Sequence, residues 1–249
     1  MRENDWSLGG LKILVVVPAF NEANHIVSVL QELNSFGYSH VVVNDHSRDS
    51  TSEVVENYGS NIIDLPFNLG VGGALRTGFR YALENGFNTV IQIDADGQHP
   101  IKEIVDLISK AEETSADMVI GSRFLGDELF MKVALSRRLA MKVLSFTASN
   151  ATGVRITDST SGFRLITGKL LQELSIHLPV TYLGDTFESV VAAGQAGYKV
   201  CEIPASIGER TSGESSASTL SAFKFTLKCF FVSALALYPR LGAKLDRTT

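Results

Sequence analysis

The segment VIQIDADGQHP, residues 90–100, carries an apolar run that ends abruptly in Asp94-Ala95-Asp96. Two carboxylates one residue apart, at the mouth of a buried strand, repel each other and call for a compensating cation. A hard divalent ion, Mg2+ or Mn2+, takes oxygen ligands and keeps positions open for water and substrate phosphate. Held by Asp94 and Asp96, such an ion would suit a diphosphate and neutralise charge on a departing phosphate. The competing reading is a turn with Asp caps. Its weight falls because this pair directly follows a buried strand in an alternating array.

The elements that must position the pair are legible over the first 120 residues. KILVVVP (12–18), HVVVND (40–45), NIIDLP (61–66), TVIQID (89–94) and ADMVIGS (116–122) read as strands. The first two lack polar alternation, as expected of strands buried on both faces. Between the strands, helical spacing predicts helices over Asn21–Phe36, Ser50–Tyr58 and Gly72–Asn85, and from Pro100, at its favoured first position, to about Glu113. Strict alternation implies right-handed βαβ crossovers and a mostly parallel sheet. Ligands then bind at the carboxyl ends of the strands. Those ends carry Pro18-Ala19-Phe20-Asn21-Glu22, Asn44-Asp45-His46-Ser47, Asn68-Leu69-Gly70, Asp94-Ala95-Asp96 and Gly121-Ser122-Arg123. Polar or glycine-rich chemistry at five ends on one edge points to a site.

Beyond residue 125 the pattern changes. Leu129–Ala151 reads as a long helix bearing Lys132, Arg137, Arg138 and Lys142. DSTSGFRLI (158–166) reads as a turn entering an apolar segment, Phe187–Ala196 as a helix and YKVCEIP (198–204) as a strand. GERTSGESSAS (208–218) is a Ser/Gly-rich loop. No repeat or linker divides the chain, so the expectation is one α/β domain over 1–218 and an apolar, basic helical tail over 219–249.

The motifs VVVPAFNEA (15–23), VVVNDHSRDST (43–51), NLGVGGALRTGF (68–79), QIDADGQHP (92–100), GSRF (121–124) and DSTSGFRL (158–165) together resemble the GT-A nucleotide-sugar glycosyltransferases of family two. They are most similar to the dolichyl- or polyprenyl-phosphate mannose and glucose synthase branch. The resemblance covers about residues 10–215 and implies a Rossmann-like, mostly parallel sheet sandwiched by helices. It also implies site roles. Pro18, Phe20 and Glu22 would line the base and ribose pocket, and Asp45 would bind the base or ribose edge. Asn68, Gly70 and Gly73 would form the loop beside the nucleotide, with Arg76 or Arg80 near by. Asp94, Ala95 and Asp96 would face the donor, and Asp94, Asp96 and Gln98 would surround the Mg2+ or Mn2+. Arg123 would contact donor or acceptor phosphate, since guanidinium groups match phosphate oxygens as bidentate donors. Arg210 and Ser215 would belong to a loop closing over the diphosphate and excluding water.

Several of these residues have a plainer role open to them. Glu22 can cap the helix that follows, Asp45 can form a strand-end turn, and the glycines at 70, 72 and 73 can make a flexible turn. Arg123 can pair with Asp117 or Asp127, and Arg164 with Asp158. His46 and His99 read as solvated loop histidines rather than metal ligands. A hydroxyl acceptor would need a carboxylate base; a phosphate acceptor is already an anion. Asp185, in YLGDTFES (182–189), is the candidate base, with helix N-capping as its alternative role; Glu188 fits the glutamate of the mannose-phosphate branch. The Gln-x-x-Arg-Trp motif of processive synthases is absent, the only tryptophan being Trp6, so processive synthesis is not expected.

Composition bounds the setting. Hydrophobic residues make up 45% and charged residues 20% of 249, ordinary for a globular protein. Cys201 and Cys229 are far apart with no metal or redox spacing, which makes a reduced cytosolic compartment the default. MRENDWSLGG lacks the apolar core of a signal peptide. Of 22 basic and 27 acidic residues, five basic (Lys224, Lys228, Arg240, Lys244, Arg247) and one acidic (Asp246) fall in the tail, leaving 17 and 26 in residues 1–218. An acidic body argues against nucleic-acid binding, and a basic apolar tail suits an anionic membrane surface. Phe223, Leu227, Phe230, Phe231, Ala234 and Leu237 recur at helical spacing, while Lys224 and Lys228 interrupt any clean span. The expectation is a peripheral enzyme at the inner face of the membrane that takes a GDP- or UDP-linked sugar and a polyprenyl phosphate. A membrane-embedded partner protein or a homo-oligomer contact could also engage the tail. Transfer to a hydroxyl of a saccharide, lipid or protein is the alternative within the class. Outside it stand a nucleotidylyltransferase, whose glycine-rich, lysine- and arginine-bearing loop after the first strand is missing, and a non-catalytic nucleotide-sugar-binding protein.

Overall fold

The computed structural model describes residues 7–8, 10–125, 135–178 and 184–206. The element order is β1 (Ser7–Leu8), β2 (Leu11–Ala19), α1 (Ile26–Ser35), β3 (His40–Asn44), α2 (Thr51–Tyr58), β4 (Ile62–Asp64), α3 (Val71–Glu84) and β5 (Thr89–Gln92). A 3-10 turn at Ile101–Glu103 leads into α4 (Ile104–Thr114) and β6 (Met118–Ser122). Then follow α5 (Leu135–Thr152), β7 (Arg164–Thr167), α6 (Gly168–His177), α7 (Gly184–Gln195) and β8 (Val200–Pro204).

One sheet runs β4-β3-β2-β5-β7-β6-β8, with β1 antiparallel on β2. β4, β3, β2 and β5 are parallel neighbours, as are β6 and β8. β7 is antiparallel to both β5 and β6, between which it lies. The unbroken apolar runs are explained by a core on each face. Ile13, Val15, Val17 and Val42 pack beneath α1 and α4, while Leu14, Val16, Val41 and Val43 pack beneath α3, α6 and α7. Alternate side chains thus serve opposite layers. α3 approaches the sheet closely at Gly78, where a Cβ would stand 2.3 Å from Val16 Cγ1.

The expected α/β order holds, with three differences. α1 begins at Ile26 rather than Asn21. Asn21 takes φ 58° and residues 22–25 form a turn in which the Glu22 carbonyl accepts the His25 and Ile26 amides. α4 begins after the 3-10 turn that follows Pro100. The apolar segment after DSTSGF is a short strand and a further helix, β7 and α6. Arg210, Ser215 and the tail over 219–249 lie outside the described residues, as do the first residues of the expected 129–151 helix. No helix among the described residues is long and apolar enough to cross a membrane.

Candidate active site

Two of the sequence motifs are laced together by hydrogen bonds. The Asn21 amide donates to Ser47 Oγ, and Asn21 Oδ1 accepts the Arg48 amide. The Glu22 amide donates to Thr51 Oγ1 and the Ala23 amide to Asp49 Oδ2. The left-handed turn at Asn21 is what brings these donors round, and Asn is among the few side chains that tolerate it. Pro18 lies inside β2, opposite Val43, so it does not stop the strand. Phe20, just past it, is 43% exposed. Glu22 pairs with His25 Nδ1 at 3.1 Å.

Asp45 joins this wall to the next loop. It is buried, its Oδ1 accepts the Leu69 amide at 2.7 Å, and its carbonyl accepts Asn68 Nδ2 at 3.0 Å. Burial pushes its carboxyl up; the Leu69 and Gly70 amides and the His46 charge pull it part of the way back. Gly70 turns at φ 77° to start α3, and a Cβ on Gly73 would stand 2.3 Å from Leu69 Cβ. Glycine is required at both positions by backbone conformation and by space. Arg76 is half-buried one turn into α3, and Arg80 is exposed. His46 is exposed, as expected.

Beyond β5 the chain turns through the acidic pair. The Asp94 side chain is 44% exposed. Its carboxylate lies against Gly162, where a Cβ would come within 2.8 Å of Oδ1 and 3.0 Å of Oδ2. Asp96 is half-buried; its Oδ1 accepts the Gln98 amide at 3.1 Å and its Oδ2 accepts Gln98 Nε2 at 2.8 Å. Ala95 is buried between them. His99 is not the solvated histidine expected from sequence: it is 7% exposed, and its ring lies 5.5 Å from that of Phe163.

The antiparallel strand explains how Gly162 reaches Asp94. Arg164, the first residue of β7, is in register with Gln92 of β5 and Ile120 of β6. Residues before it therefore lie past the carboxyl ends of both neighbours. There Asp158, with a side chain of zero exposure, accepts Arg123 Nε at 2.7 Å, Nη2 at 2.8 Å and the Arg123 amide at 3.2 Å. Arg123 thus pairs with Asp158 rather than with Asp117; Asp127 lies outside the described residues. Burial opposes the guanidinium charge, but the bonds to and charge of Asp158, with Asp94 near by, leave its pKa raised. Asp158 is held in turn by Glu202 of β8, whose carboxylate accepts the Asp158 and Thr157 amides and Thr157 Oγ1. Burial pushes the Glu202 carboxyl up against those bonds.

Arg164 does not pair with Asp158. It is 1% exposed and donates to the carbonyls of Ser161, Ser159 and Thr186 and to Ser189 Oγ, tying the 158–163 turn to the start of α7. Asp185 lies in the first turn of α7, and Glu188 in the same helix is buried. Asp158, Gly162, His99 and Glu202 were not singled out as site residues from sequence. Asp158 and Gly162 fall within the DSTSGFRL motif and His99 within QIDADGQHP, which was their signal in the sequence; nothing there marked Glu202.

A doubly layered α/β sheet with acidic, glycine-rich and guanidinium groups on one edge defines a nucleotide-sugar transferase of the GT-A kind. Residues 14–175 match the glycosyl transferase family 2 model, and the chain belongs to that family and is a glycosyltransferase. It is 29% identical over 210 residues to a UDP-N-acetylglucosamine–dolichyl-phosphate N-acetylglucosaminyltransferase of Methanococcus voltae, covering 77% of this chain and 84% of that one. It is 27% identical over 216 residues to an undecaprenyl-phosphate mannosyltransferase of Micrococcus luteus, covering 84% and 88%. In fold it is similar to glucosyl-3-phosphoglycerate synthase of Mycobacterium tuberculosis in complex with Mn2+, UDP-glucose and phosphoglyceric acid. The TM-score is 0.63 at 18% identity, covering 93% of this chain and 81% of that one.

Proposed function

We propose that the protein catalyses metal-dependent, inverting, non-processive transfer of a hexose from a nucleotide-diphosphate sugar to a polyprenyl phosphate. The observation that carries this reading is the meeting, past the ends of β5 and β6, of Asp94 of the acidic pair with the Arg123–Asp158 pair. The lipid-phosphate relatives direct the choice of acceptor. In the proposed reaction a phosphate oxygen of the lipid attacks the anomeric carbon, and the bond to the donor diphosphate breaks with its electron pair leaving on the β-phosphate oxygen.

The residues present fit a divalent cation. Asp94 and Asp96 offer oxygen donors, and Gly162 leaves the Asp94 carboxylate a space that a Cβ would fill. Among the described residues no third His, Cys, Asp or Glu completes a cluster, so two carboxylates leave positions for phosphate and water. Asp94 and Asp96 would hold the ion, with Gln98 beside Asp96; bound there, it supplies charge to the leaving diphosphate. Asp45, Asn68, Gly70, Gly73 and Arg76, with Pro18, Phe20 and Glu22, would seat the nucleoside. Arg123 would present Nη1 to phosphate, since Asp158 takes Nε and Nη2. Arg210 and Ser215 would close over the diphosphate, and the basic apolar tail would meet the inner face of the membrane.

The test is a transfer assay with purified protein, Mg2+ or Mn2+ and labelled GDP- and UDP-sugars, with and without polyprenyl phosphate in detergent. Label entering the organic phase only with the lipid phosphate is expected. Label reaching a hydroxyl acceptor instead would overturn the proposed acceptor and make Asp185 the base. Full turnover by Asp96→Ala in EDTA would overturn the metal.

A further inference from the structure

His99 is a buried imidazole that touches the acidic motif twice. Its Nδ1 accepts the backbone amide of Asp94 at 2.9 Å. A ring nitrogen that accepts an N–H carries no proton, so in the neutral ring the proton sits on Nε2. Nε2 faces the carboxylate of the same residue, 3.5 Å from Asp94 Oδ2. The ring is itself fixed: it leans on Phe163 at 5.5 Å and is 7% exposed. Phe163 in turn follows Gly162, where a Cβ would stand 2.8 Å from Oδ1 and 3.0 Å from Oδ2 of that carboxylate.

From these contacts we infer that His99 is a positioning residue. A single tautomer-locked imidazole accepts the Asp94 amide and sets Nε2 3.5 Å from its carboxylate, while Gly162 leaves the space the carboxylate needs, and together they set its aim toward the divalent cation. The inference rests on the metal reading proposed above. The physical reason is that an Asp carboxylate half in solvent has χ freedom that a cation site must remove. An N–H pole 3.5 Å from one oxygen and the close approach of Gly162 narrow that freedom without adding a charge. His99 is not a ligand in this account. Its nitrogens are both turned to Asp94, and its role is to make the two carboxylates one preformed site.

The experiment measures Mn2+ binding by electron paramagnetic resonance, for Mn2+ alone and with UDP or GDP present, alongside melting temperature. His99→Phe keeps the ring against Phe163 and removes both hydrogen-bonding atoms. His99→Gln restores a donor near the Nε2 position. Gly162→Ala pushes on the carboxylate directly, since the atoms a Cβ would meet are the movable end of Asp94. His99→Phe and Gly162→Ala are expected to weaken Mn2+ about 10- to 100-fold, the usual effect of losing a group that orients a metal ligand. His99→Gln should recover part of the loss, and Gly162→Ala should melt close to wild type. Should His99→Phe fail to fold, Gly162→Ala and His99→Gln carry the test. Wild-type Mn2+ affinity in folded His99→Phe and in Gly162→Ala would overturn the positioning role and leave the metal reading standing. No Mn2+ binding by wild type, with or without nucleotide, would overturn the metal reading and this inference with it.

Discussion

Removing Asp158 tests whether Arg123 is anchored or merely near. Asp158 has no exposed side-chain surface, and the Arg123 side chain is 30% exposed. The carboxylate accepts two guanidinium bonds, the Arg123 amide and Thr160 Oγ1. Breaking a fully buried pair by deleting one partner costs about 3–5 kcal/mol. Water reaches part of Arg123, so the expected cost of Asp158→Ala is about 2–4 kcal/mol. For a chain of this size, each kcal/mol lowers the melting temperature by about 2–4 °C. The decisive assay is a double-mutant cycle in urea with Arg123→Ala, Asp158→Ala and the pair. Because the residues share a fork rather than a surface contact, the coupling should reach about 2 kcal/mol. A coupling under about 0.5 kcal/mol, the range of exposed ion pairs, would refute the anchoring argument. Arg123→Lys sharpens the test, since an ammonium keeps the charge but cannot make the fork. It should retain less than half of that coupling.

Asp45→Asn should unfold at the same temperature as wild type or higher at neutral pH, because burial raises the Asp45 pKa. The stability this group contributes is present below its ordinary 3.8 and is lost as pH rises through the raised value. Melting curves across pH should therefore converge in acid, while UDP or GDP affinity falls about tenfold if the carboxylate meets the nucleoside. Arg164→Met should destabilise by about 3 kcal/mol or more in urea, since it leaves buried carbonyls of Ser161, Ser159 and Thr186 without a donor. Gly78→Ala should cost about 1–3 kcal/mol by overpacking against Val16, and Val16→Ala should restore part of the loss in the double variant.

The parallel half of the sheet was legible because its signals are local. The runs at 12–18 and 40–45 are apolar at every position because alternate residues serve two cores, and β2 and β3 lie within a residue of those ranges. The strand ends then brought Asp45, Asn68, Asp94 and Arg123 to one edge without further information. What was not legible depends on a strand that runs the other way. β7 has four residues and no periodicity long enough to betray its direction. Its antiparallel insertion between β5 and β6 is what sets Asp158 on Arg123 and Gly162 under Asp94, contacts that span 35 and 68 residues of sequence. The helix expected from Asn21 failed for a different reason. Asn21 to Ala23 give their amides to the 47–51 loop, so tertiary hydrogen bonds win over helical propensity there. His99 read as a loop histidine because nothing in QHP shows that Phe163 covers it.

The charges at this edge bear on the proposed chemistry. Asp94, Asp96 and Asp158 stand against one guanidinium, Arg123, which already shares two of its nitrogens with Asp158. These four groups alone carry two net negative charges before any substrate arrives; Glu202 adds an acid behind Asp158, and Arg164 a buried guanidinium beneath the same turn. A nucleotide diphosphate adds more, and two unit charges about 4 Å apart at an effective dielectric near 20 repel by roughly 4 kcal/mol. The Arg123 fork cannot offset this, because its own charge is spent on a carboxylate that no solvent reaches. On the proposed reading, phosphate recognition by Arg123 would be directional, through Nη1, more than electrostatic. On the proposed reading, further positive charge for a diphosphate would come from a divalent cation on Asp94 and Asp96, from Arg76 on α3, or from basic residues such as Arg210. A cation and an arginine differ in kind. A cation held by the two carboxylates would supply charge to the donor diphosphate, so cation and donor affinities would rise together. A lone arginine would raise donor affinity with no dependence on Mn2+. A positive linkage between Mn2+ and nucleoside diphosphate is therefore what the proposed cation site predicts, and its absence would assign the charge to arginine.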